Sequence, residues 1–454
     1  MRGMLSLDGL GALVENGEID TVLVAITDMQ GRLVGKRVTS HYFLSHAARE
    51  WHACDYLLAN DMDMEPVPGF EVSSWQKGYG DFAVRPDLAT LRRIPWLDGT
   101  ALVLGDPVDH HGHDLAHSPR AILKRQLARA AELGFTTNMA SELEFYVFDE
   151  GFAEARKKHY RELEPAGWYI EDYHIFQTTK EEPLIRAVRN GMDGAGIPVE
   201  FSKGEWGPGQ AEINLYYADG LTMADRHAIY KNGVKEIAFL QGRAVTFMAK
   251  PFNGQAGNSC HVHISLADRE TGESVFHHPS AEDALSKTAR QFLAGQLAFV
   301  GDLTCLLAPF VNSYKRFEYG SFAPTKLVWS QDNRTAGFRV CGHGASVRTE
   351  CRVPGADANP YLAFAALLGA GLDGIEQELE LGPRFAGNAY DSADVPEVPH
   401  TLTAALDRFE RSEAAERLLG EVVQRHYLHA GRWEQSLFER RVTDWELQRY
   451  FERA

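Results

Sequence analysis

The segment Ser141-Glu142-Leu143-Glu144-Phe145-Tyr146-Val147-Phe148 has the aromatic and β-branched residues that are typical of a buried strand. Because side chains alternate along a strand, Glu142 and Glu144 are predicted to share one face. Neighbouring carboxylates repel each other unless a cation compensates their charge. The pair therefore indicates either the exposed face of an edge strand or a metal site, and this segment alone leaves both open.

A second acidic segment runs from Glu200 to Glu212, with the sequence EFSKGEWGPGQAE. Its Gly-Pro-Gly bend can turn Glu205 and Glu212 toward one point, although a surface turn with ordinary acids has the same pattern. In the segment from Cys260 to Ser265, the alternation of a strand places His261, His263 and Ser265 on one face. Hydrogen-bonded histidines of a half-buried strand remain the alternative.

Charged residues alternate again in Arg348-Thr349-Glu350-Cys351-Arg352, where a salt-bridged strand is the simpler interpretation. Three further arginines, Arg316, Arg334 and Arg339, lie in the polar segments Asn-Ser-Tyr-Lys-Arg, Asp-Asn-Arg and Gly-Phe-Arg. Arginine supplies a planar, permanently charged fork for phosphate and carboxylate groups. Taken singly, such arginines are usually solvated.

Together these segments offer five carboxylates and one imidazole as inner ligands, with arginines around them. Hard oxygen ligands and one nitrogen suit Mg²⁺ or Mn²⁺ better than structural zinc. Cations flanked by arginines suit phosphoryl transfer, in which moving charge must be neutralised. The sequence has no Gly-x-x-x-x-Gly-Lys-Ser/Thr loop, so a P-loop enzyme is not expected.

The composition limits the cellular compartment and the kinds of partner that are expected. The chain has 454 residues and a net charge of −17, which argues against nucleic acid or an anionic membrane surface as a partner. Its five cysteines have no Cys-x-x-Cys spacing, so we predict a reducing, cytoplasmic location. The N-terminus shows no signal peptide pattern, and the most apolar stretch, Tyr361–Leu372, is too short to span a bilayer.

The order of strand and helix patterns predicts two domains, residues 1–105 and residues 106–454. Strand patterns at residues 21–26 and 33–38 flank a turn and predict a hairpin. Long helices are predicted near residues 222–247, 282–307 and 359–379, and the tail from 401 to 454 is predicted to be helical. Four histidines at residues 110–117 are interpreted as part of a solvated linker.

These motifs, in this order, resemble the glutamine synthetase family over nearly the whole chain. The matching motifs include Glu142-x-Glu144, Glu205-x-x-Pro-Gly-Gln-x-Glu212, Lys250-Pro, His261-x-His-x-Ser265, Asn312-Ser-Tyr-Lys-Arg316, Asp332-Asn-Arg334, Arg348-x-Glu-x-Arg352 and Asn359-Pro-Tyr-Leu-Ala-Phe-Ala-Ala366. The pattern is similar to the bacterial type I enzymes. This resemblance implies an α+β fold, with an N-terminal β-grasp domain and a C-terminal catalytic domain in which helices pack on an antiparallel sheet. It also implies a homododecamer with active sites at subunit interfaces.

The resemblance also implies roles for individual residues, with ATP as a substrate and two or three Mg²⁺ or Mn²⁺ ions per site. One ion would be held by Glu144, Glu205 and Glu212, and a second by Glu142, His261 and Glu350. The positions of the family's ATP contacts are occupied by Glu200, His263, Ser265, Arg339 and Arg348. Gly257, Arg316 and Arg352 match its glutamate contacts, and Arg334 matches the arginine that stabilises the transferring phosphoryl group. ATP would phosphorylate the glutamate γ-carboxylate, and an amine would then attack the γ-glutamyl phosphate.

The departures from the family pattern concern the nitrogen donor. Phe322 stands where ammonium-using members have a glutamate, and Glu318, four residues earlier, would need a different loop to replace it. The Asp-Gly-Ser-Ser run that helps to bind ammonium is absent, with Asp61 or Asp63 as possible substitutes, and Ala256 replaces an asparagine of the glutamate loop. A phenyl ring offers an apolar wall to an alkyl stem.

We therefore predict a glutamate–amine ligase whose acceptor is a small primary amine of the ethanolamine or polyamine type. This resembles the γ-glutamylpolyamine and γ-glutamylethanolamide synthetase branch of the family. A glutamine synthetase that uses ammonium is the alternative within the family. An inactive member that serves as a nitrogen sensor is the alternative from another class, and retention of all six metal positions disfavours it.

Overall fold

Two sheets with helices packed on them form the protein, in a computed structural model that describes residues 2–281 and 283–454. The strands of the N-terminal sheet are β1 (Thr21–Thr27), β2 (Leu33–Thr39), β3 (Trp51–Cys54), β4 (Asp81–Pro86), β5 (Arg92–Arg93) and β6 (Thr100–Val108). Their order is β2-β1-β6-β4-β3, and β5 pairs with β6. Strands β1 and β6 are parallel, and the other pairs are antiparallel.

The predicted hairpin is present as β1 and β2, which pair from Thr21 opposite Thr39 to Thr27 opposite Leu33. Gly31 makes its turn with a φ of 81°, a backbone conformation that favours glycine. Two helices belong to this part of the chain, α1 (Leu7–Glu15) and α2 (Ser40–Tyr42). The predicted domain boundary at residue 105 falls within β6 and stays a prediction.

The second sheet is larger and contains the acidic segment of residues 141–148. Its strands are β7 (Phe135–Phe148), β8 (Val199–Gly204), β9 (Gln210–Leu215), β10 (Ala244–Thr246), β11 (Cys260–Asp268), β12 (Trp329–Gln331), β13 (Phe338–Cys341) and β14 (Arg348–Cys351). They lie in the order β12-β13-β14-β11-β7-β9-β8, with β10 on one end of β7. Strand β7 is thus internal, so the interpretation of Glu142 and Glu144 as residues of an edge strand is wrong.

Helices cover this sheet and continue into the C-terminal tail. They are α3 (Pro119–Glu132), α4 (Phe152–Lys157), α5 (Ile175–Thr178), α6 (Glu182–Gly194), α7 (Gly220–Leu240), α8 (Lys287–Phe299), α9 (Thr304–Leu307), α10 (Pro360–Glu376), α11 (Leu402–Glu410), α12 (Glu413–Leu419), α13 (Glu421–Glu439) and α14 (Asp444–Tyr450). Helix α10 is buried along nearly its whole length and packs between α8 and α3. No helix in the described ranges is long and apolar enough to cross a membrane.

Two of the predicted long helices are shorter in the structure. The helix predicted at residues 222–247 ends at Leu240, because Gly242 has a φ of 70° and the chain then enters β10. The segment 282–307 contains two helices, α8 and α9, and its first residue lies outside the described ranges. The helix predicted at residues 359–379 is present as α10, and the tail is helical as predicted.

Arg120 of α3 joins the part of the chain that forms the N-terminal sheet to helices α7 and α10 through a buried network. Its guanidinium donates to Asp106 (2.8 Å) and Asp87 (2.6 Å) of the N-terminal half, and to both oxygens of Asp225 on α7 (3.0 and 2.9 Å). The Tyr361 hydroxyl of α10 also donates to Asp225 (2.6 Å). Arg120 is only 4% exposed, so its charge is balanced by these carboxylates and not by water.

Replacing Arg120 with alanine is expected to lower the free energy of unfolding by about 3–5 kcal/mol, because the Asp225 carboxylate would remain buried without its partner. Arg93→Ala is the matched control, since Arg93 and Glu18 form an exposed ion pair and its loss should cost less than about 1 kcal/mol. Denaturant unfolding of both variants measures the difference. Equal losses would show that the Arg120 network does not stabilise the fold.

Candidate active site

The register of the second sheet brings the predicted site residues onto one face. Residues directly opposite each other on neighbouring strands share a face and lie close together. The opposed pairs are Glu144 with Glu212, Glu142 with His261, His263 with Glu350, Glu350 with Arg339, and Glu212 with Lys203. Segments that are more than 200 residues apart in the chain therefore meet in one site.

Glu144, Glu205 and Glu212 form the first cluster, with one carboxylate oxygen of each within 4.8 Å of the others. The Glu144 carboxylate accepts hydrogen bonds from the backbone N–H of Ser259 (2.7 Å) and from Gln210 Nε2 (3.3 Å). Burial and the charge of Glu205 nevertheless raise the pKa of Glu144 to about 8. Without a metal, the Glu144 carboxyl therefore stays mostly protonated near neutral pH, and a divalent cation bound there would take the place of the proton.

Lys203 is the positive charge that the chain itself places beside this cluster. Its Nζ forms an ion pair with Glu205 and lies 3.5 Å from the carboxylate of Asp172 and 4.7 Å from the centre of the Tyr173 ring. Burial and the neighbouring carboxylates still hold the pKa of Glu212 well above its usual range. Lys203 and the nearby Arg316 therefore compensate the acidic cluster only in part.

Glu142, His261 and Glu350 form the second cluster, and their ligand atoms also lie within 4.8 Å of one another. His261 Nδ1 faces Glu142 at 3.1 Å and Glu350 at 3.7 Å. Burial and the charge of Arg352 lower the pKa of His261, which favours the neutral imidazole that metals bind. Burial alone would raise the pKa of Glu350. Arg352 and the nearby imidazoles nevertheless lower this pKa to about 2, so the carboxylate is ionised.

A cavity of about 430 Å³ lies on one side of Glu142 and contains four of the five residues predicted to bind ATP. These four are Glu200, His263, Ser265 and Arg348. The Arg348 Nε–H donates to His263 Nδ1 (3.0 Å), so the other nitrogen, Nε2, donates to Glu142 (3.0 Å). His263 therefore links the wall of this cavity to the second cluster.

A second cavity of about 440 Å³ lies on the other side of Glu142. It is lined by Glu144, Glu205, Glu212, His261, Gly257, Phe322, Arg334, Arg339 and Arg352, all of them predicted site residues. Two predicted residues, Glu350 and Arg316, line neither cavity. Glu350 is fully buried in the sheet, with Arg339 and Arg352 bound to its carboxylate. Arg316 lies beneath Gly257.

Arg316 is 1% exposed, and its guanidinium is bound to Ser259 Oγ (3.0 Å) and to the Val353 carbonyl. A Cβ added at Gly257 would come within 2.6 Å of the Arg316 side chain and 2.5 Å of the Ala249 carbonyl. Glycine is therefore required at residue 257 for this close packing. Arg316 thus supports the glycine loop from below, whereas sequence reasoning placed it in contact with a ligand.

Aromatic side chains form part of the wall of the second cavity, which the carboxylates also line. The Phe322 ring packs on the Trp206 ring with 5.5 Å between centroids, and Tyr173 and Phe201 also line the cavity. Phe322 has a φ of 60°, which is rare for a residue with a side chain and places strain in the loop. The loop is held by Arg352, which donates to the Phe322 carbonyl (3.3 Å), and by Tyr390, whose hydroxyl donates to the Ala323 carbonyl (2.8 Å).

Two carboxylates that were considered as substitutes for the missing ammonium contacts, Glu318 and Asp61, are bound to other groups. Glu318 forms an ion pair with the buried Lys250 (2.8 Å) and does not line the cavity. Asp61 accepts the backbone N–H groups of Asp63 (2.9 Å) and Glu65 (3.0 Å) through one oxygen, and Trp433 Nε1–H (3.3 Å) through the other. Neither Glu318 nor Asp61 therefore presents a free carboxylate to the cavity of its own subunit.

Sequence reasoning missed Lys203, Trp206 and Tyr173. The first two flank Glu205 in the chain, and the alternation of a strand would have placed Lys203 on the face of Glu205. Trp206 adjoins the Gly-Pro-Gly bend, so the bend that was predicted to bring Glu205 to the site could have predicted the same for Trp206. Tyr173 lies in a segment without helix or strand periodicity, so no sequence signal pointed to it.

The glutamine synthetase catalytic-domain profile matches residues 116–450. The chain belongs to the glutamine synthetase family, and it is a carbon–nitrogen ligase. Members of this family use ATP and divalent metals and are typically oligomeric.

Two relatives match the chain nearly from end to end. The chain is 49% identical to a γ-glutamylethanolamide synthetase of Streptomyces coelicolor, over 99% of this chain and 96% of the relative. It is 37% identical to a glutamate–isopropylamine ligase of a Pseudomonas species, over 97% of this chain and 96% of the relative. A solved complex of GmaS with ADP superposes with a TM-score of 0.85 at 28% identity, covering 97% of this chain and 99% of that one.

Proposed function

We propose that the protein is an ATP-dependent glutamate–amine ligase that forms a γ-glutamyl amide through γ-glutamyl phosphate, with a small primary amine of the ethanolamine or polyamine type as the acceptor. The observation that carries the proposal is the aromatic wall of Phe322 and Trp206 in the cavity that also contains the acidic cluster. The names of the two relatives support it, since both act on small primary amines.

The wall favours an alkyl amine over ammonium for an electrostatic reason. Ammonium has no apolar part and needs polar or charged contacts on every side, which a phenyl ring and an indole supply poorly. An alkyl amine can place its stem against the rings and its nitrogen toward the carboxylates. The ion pair of Glu318 with Lys250 supports this reading, because it leaves Phe322 without a carboxylate beside it.

The two acidic clusters are proposed to hold Mg²⁺ or Mn²⁺. Their donors fit such ions, because five carboxylates and one neutral imidazole converge, while Lys203 at the first cluster and Arg339 and Arg352 at Glu350 balance the carboxylates only in part. Bound there, the ions would neutralise charge on the phosphates during transfer. A third ion, if present, would have to be held by other groups as well.

The other roles follow the placement of the side chains. Glu200, His263, Ser265 and Arg348 are proposed to contact ATP in the first cavity. Arg339 and Arg334 both line the second cavity, where the charge of Arg334 can stabilise the transferring phosphoryl group. For glutamate we propose contacts with Gly257 and Arg352, and support of the loop by Arg316.

The affinity for Mn²⁺ is expected to rise with pH up to about pH 8. The pKa of Glu144 is about 8 without a metal, and a cation binds the carboxylate form. Below this pH, binding must release the proton, so the affinity should fall about tenfold per pH unit for one displaced proton. Calorimetric titrations between about pH 6.5 and about pH 8.5 measure this slope. Glu144→Gln should reduce this slope, and the raised pKa of Glu212 accounts for any slope that remains. A wild-type affinity that is constant over this range would contradict the assignment.

Assembly and location remain predictions that the structure supports indirectly. Large apolar side chains of the tail, including Trp445 and Phe451, are exposed in the single chain and are available for contacts between subunits. We propose a homododecamer, which light scattering would report as twelve times the 50.6 kDa chain mass. All five cysteines are free thiols, which agrees with a reducing, cytoplasmic location.

A panel of amines tests the proposed activity. The protein is incubated with ATP, Mg²⁺, glutamate and one of ammonium, ethanolamine, isopropylamine or putrescine, and both phosphate release and product mass are measured. The expected result is a γ-glutamyl amide of at least one alkyl amine, formed faster than glutamine. Turnover with ammonium alone would identify a glutamine synthetase. The absence of any ATP hydrolysis that depends on glutamate and amine would favour an inactive family member that serves as a nitrogen sensor.

A further inference from the structure

A thiol lies beside the second acidic cluster, where neither the metal nor the ATP assignment uses it. Cys341 follows Arg339 by two residues on β13, so both point to the face of the sheet that bears the site. Arg339 is opposite Glu350 on β14, and Glu350 is opposite His263 on β11. Three adjacent strands thereby gather an imidazole, a carboxylate and a thiol.

The ligand atoms of His263, Cys341 and Glu350 lie within 4.8 Å of one another. The two oxygens of Glu350 face in different directions. Oε1 faces His261 (3.7 Å), a residue of the second cluster, whereas Oε2 faces Cys341 Sγ (3.8 Å) and Arg339 (2.8 Å). Glu350 can therefore contribute to the second cluster or to the cysteine side of the sheet.

We propose that His263, Cys341 and Glu350 form a further metal site, selective for a thiophilic divalent cation of the Zn²⁺ class. Thiolate, imidazole and carboxylate are the ligands that zinc takes in proteins, whereas Mg²⁺ avoids sulfur. Binding converts the Cys341 S–H to a metal-bound thiolate, and the proton passes to solvent. Three protein ligands leave a fourth position for water.

Occupation of this site interferes with the neighbouring one because the two share Glu350. A cation on Oε2 displaces Arg339 from its 2.8 Å contact and draws Glu350 away from His261. It also requires one nitrogen of His263 to leave its present partner, either Arg348 or Glu142. Zn²⁺ is therefore an inhibitor of the Mg²⁺-loaded ligase, a consequence that rests on the proposed function, whereas zinc binding itself does not.

The test titrates Cd²⁺ into the full-length, Mg²⁺-saturated protein and follows the ultraviolet charge-transfer band of the cadmium–thiolate bond. The wild-type protein should show the band with one equivalent per chain, and Cys341→Ser should lose it. Cys54→Ser is the matched control, because Cys54 is the most exposed of the five thiols and lies in the N-terminal sheet. A band that persists in Cys341→Ser, or that is absent from the wild type, overturns the proposal.

Two further readouts separate failure of this site from failure of the proposed function. In ligase assays normalised to the Mg²⁺ activity of each variant, Cys341→Ser should need at least about 10-fold more Zn²⁺ for half inhibition, since even an outer partner of a metal ligand contributes this much. If Cys341→Ser does not fold, X-ray absorption of the Zn²⁺-loaded wild type decides: a sulfur neighbour at about 2.3 Å supports the site, and its absence overturns it. If the ligase activity fails but the cadmium band appears, only the proposed function is wrong.

Discussion

Glu144→Ala is expected to abolish ligase turnover with every amine. The Glu144 carboxylate is buried at the centre of the first cluster, within 4.8 Å of Glu205 and Glu212. Its loss removes one of three proposed ligands and also leaves the Ser259 N–H without its acceptor. A bound cation supplies several kcal/mol of charge stabilisation, and about 4 kcal/mol corresponds to a thousandfold loss of rate. Steady-state phosphate release at saturating Mg²⁺ measures the effect.

Two variants separate the proposed metal role from damage to the fold. Glu144→Gln keeps an oxygen for the Ser259 N–H but loses the charge, so it should fold normally and remain almost inactive. Glu182→Ala removes a partly exposed carboxylate that pairs with Arg189 outside the site, and it should keep wild-type activity. Near-normal turnover by Glu144→Ala, with an unchanged Mg²⁺ requirement, would refute the assignment.

Phe322→Glu is expected to change which amine is accepted. The ring lies on Trp206 in the wall of the second cavity, and a carboxylate there replaces an apolar contact with a charge. Contacts with one or two methylenes are worth about 1–3 kcal/mol, so the ratio of kcat/KM for an alkyl amine to that for ammonium should fall by about 10- to 100-fold. The amine panel run on this variant measures the ratio.

Phe322→Leu is the control for this experiment, since it keeps an apolar wall at the same strained backbone position. Its preference for alkyl amines over ammonium should stay close to that of the wild type, even if its rate falls because packing on Trp206 is lost. The same amine profile for wild type, Phe322→Leu and Phe322→Glu would show that this side chain does not select the acceptor.

Local periodicity was sufficient to predict which side chains of each strand share a face at the site. The alternation of β7 predicted that Glu142 and Glu144 share a face, and the structure confirms it through their opposite partners, His261 and Glu212. The hairpin of β1 and β2 was also predictable, because its strands are close in the chain and Gly31 marks the turn. The family resemblance then predicted the α+β fold, in which the sheet of the N-terminal domain precedes that of the catalytic domain.

Local sequence patterns did not predict the features that depend on pairing between distant segments of the chain. The internal position of β7 is set by β9 and β11, which lie about 60 and 120 residues further along the chain, and no periodicity specifies such neighbours. The Trp206–Phe322 contact and the Arg120 network arise in the same way. Helix ends were misjudged where a single glycine, Gly242, changes the backbone direction.

The acceptor preference of the unmodified protein is the most direct test of the proposed function. The protein is given ATP, Mg²⁺, glutamate, and ethanolamine and ammonium at equal concentrations, and mass spectrometry measures the ratio of the two γ-glutamyl products. Because the Phe322–Trp206 wall favours an alkyl stem, the γ-glutamyl amide of ethanolamine is predicted to exceed glutamine. Glutamine as the main product would contradict the proposal that this site selects a primary amine.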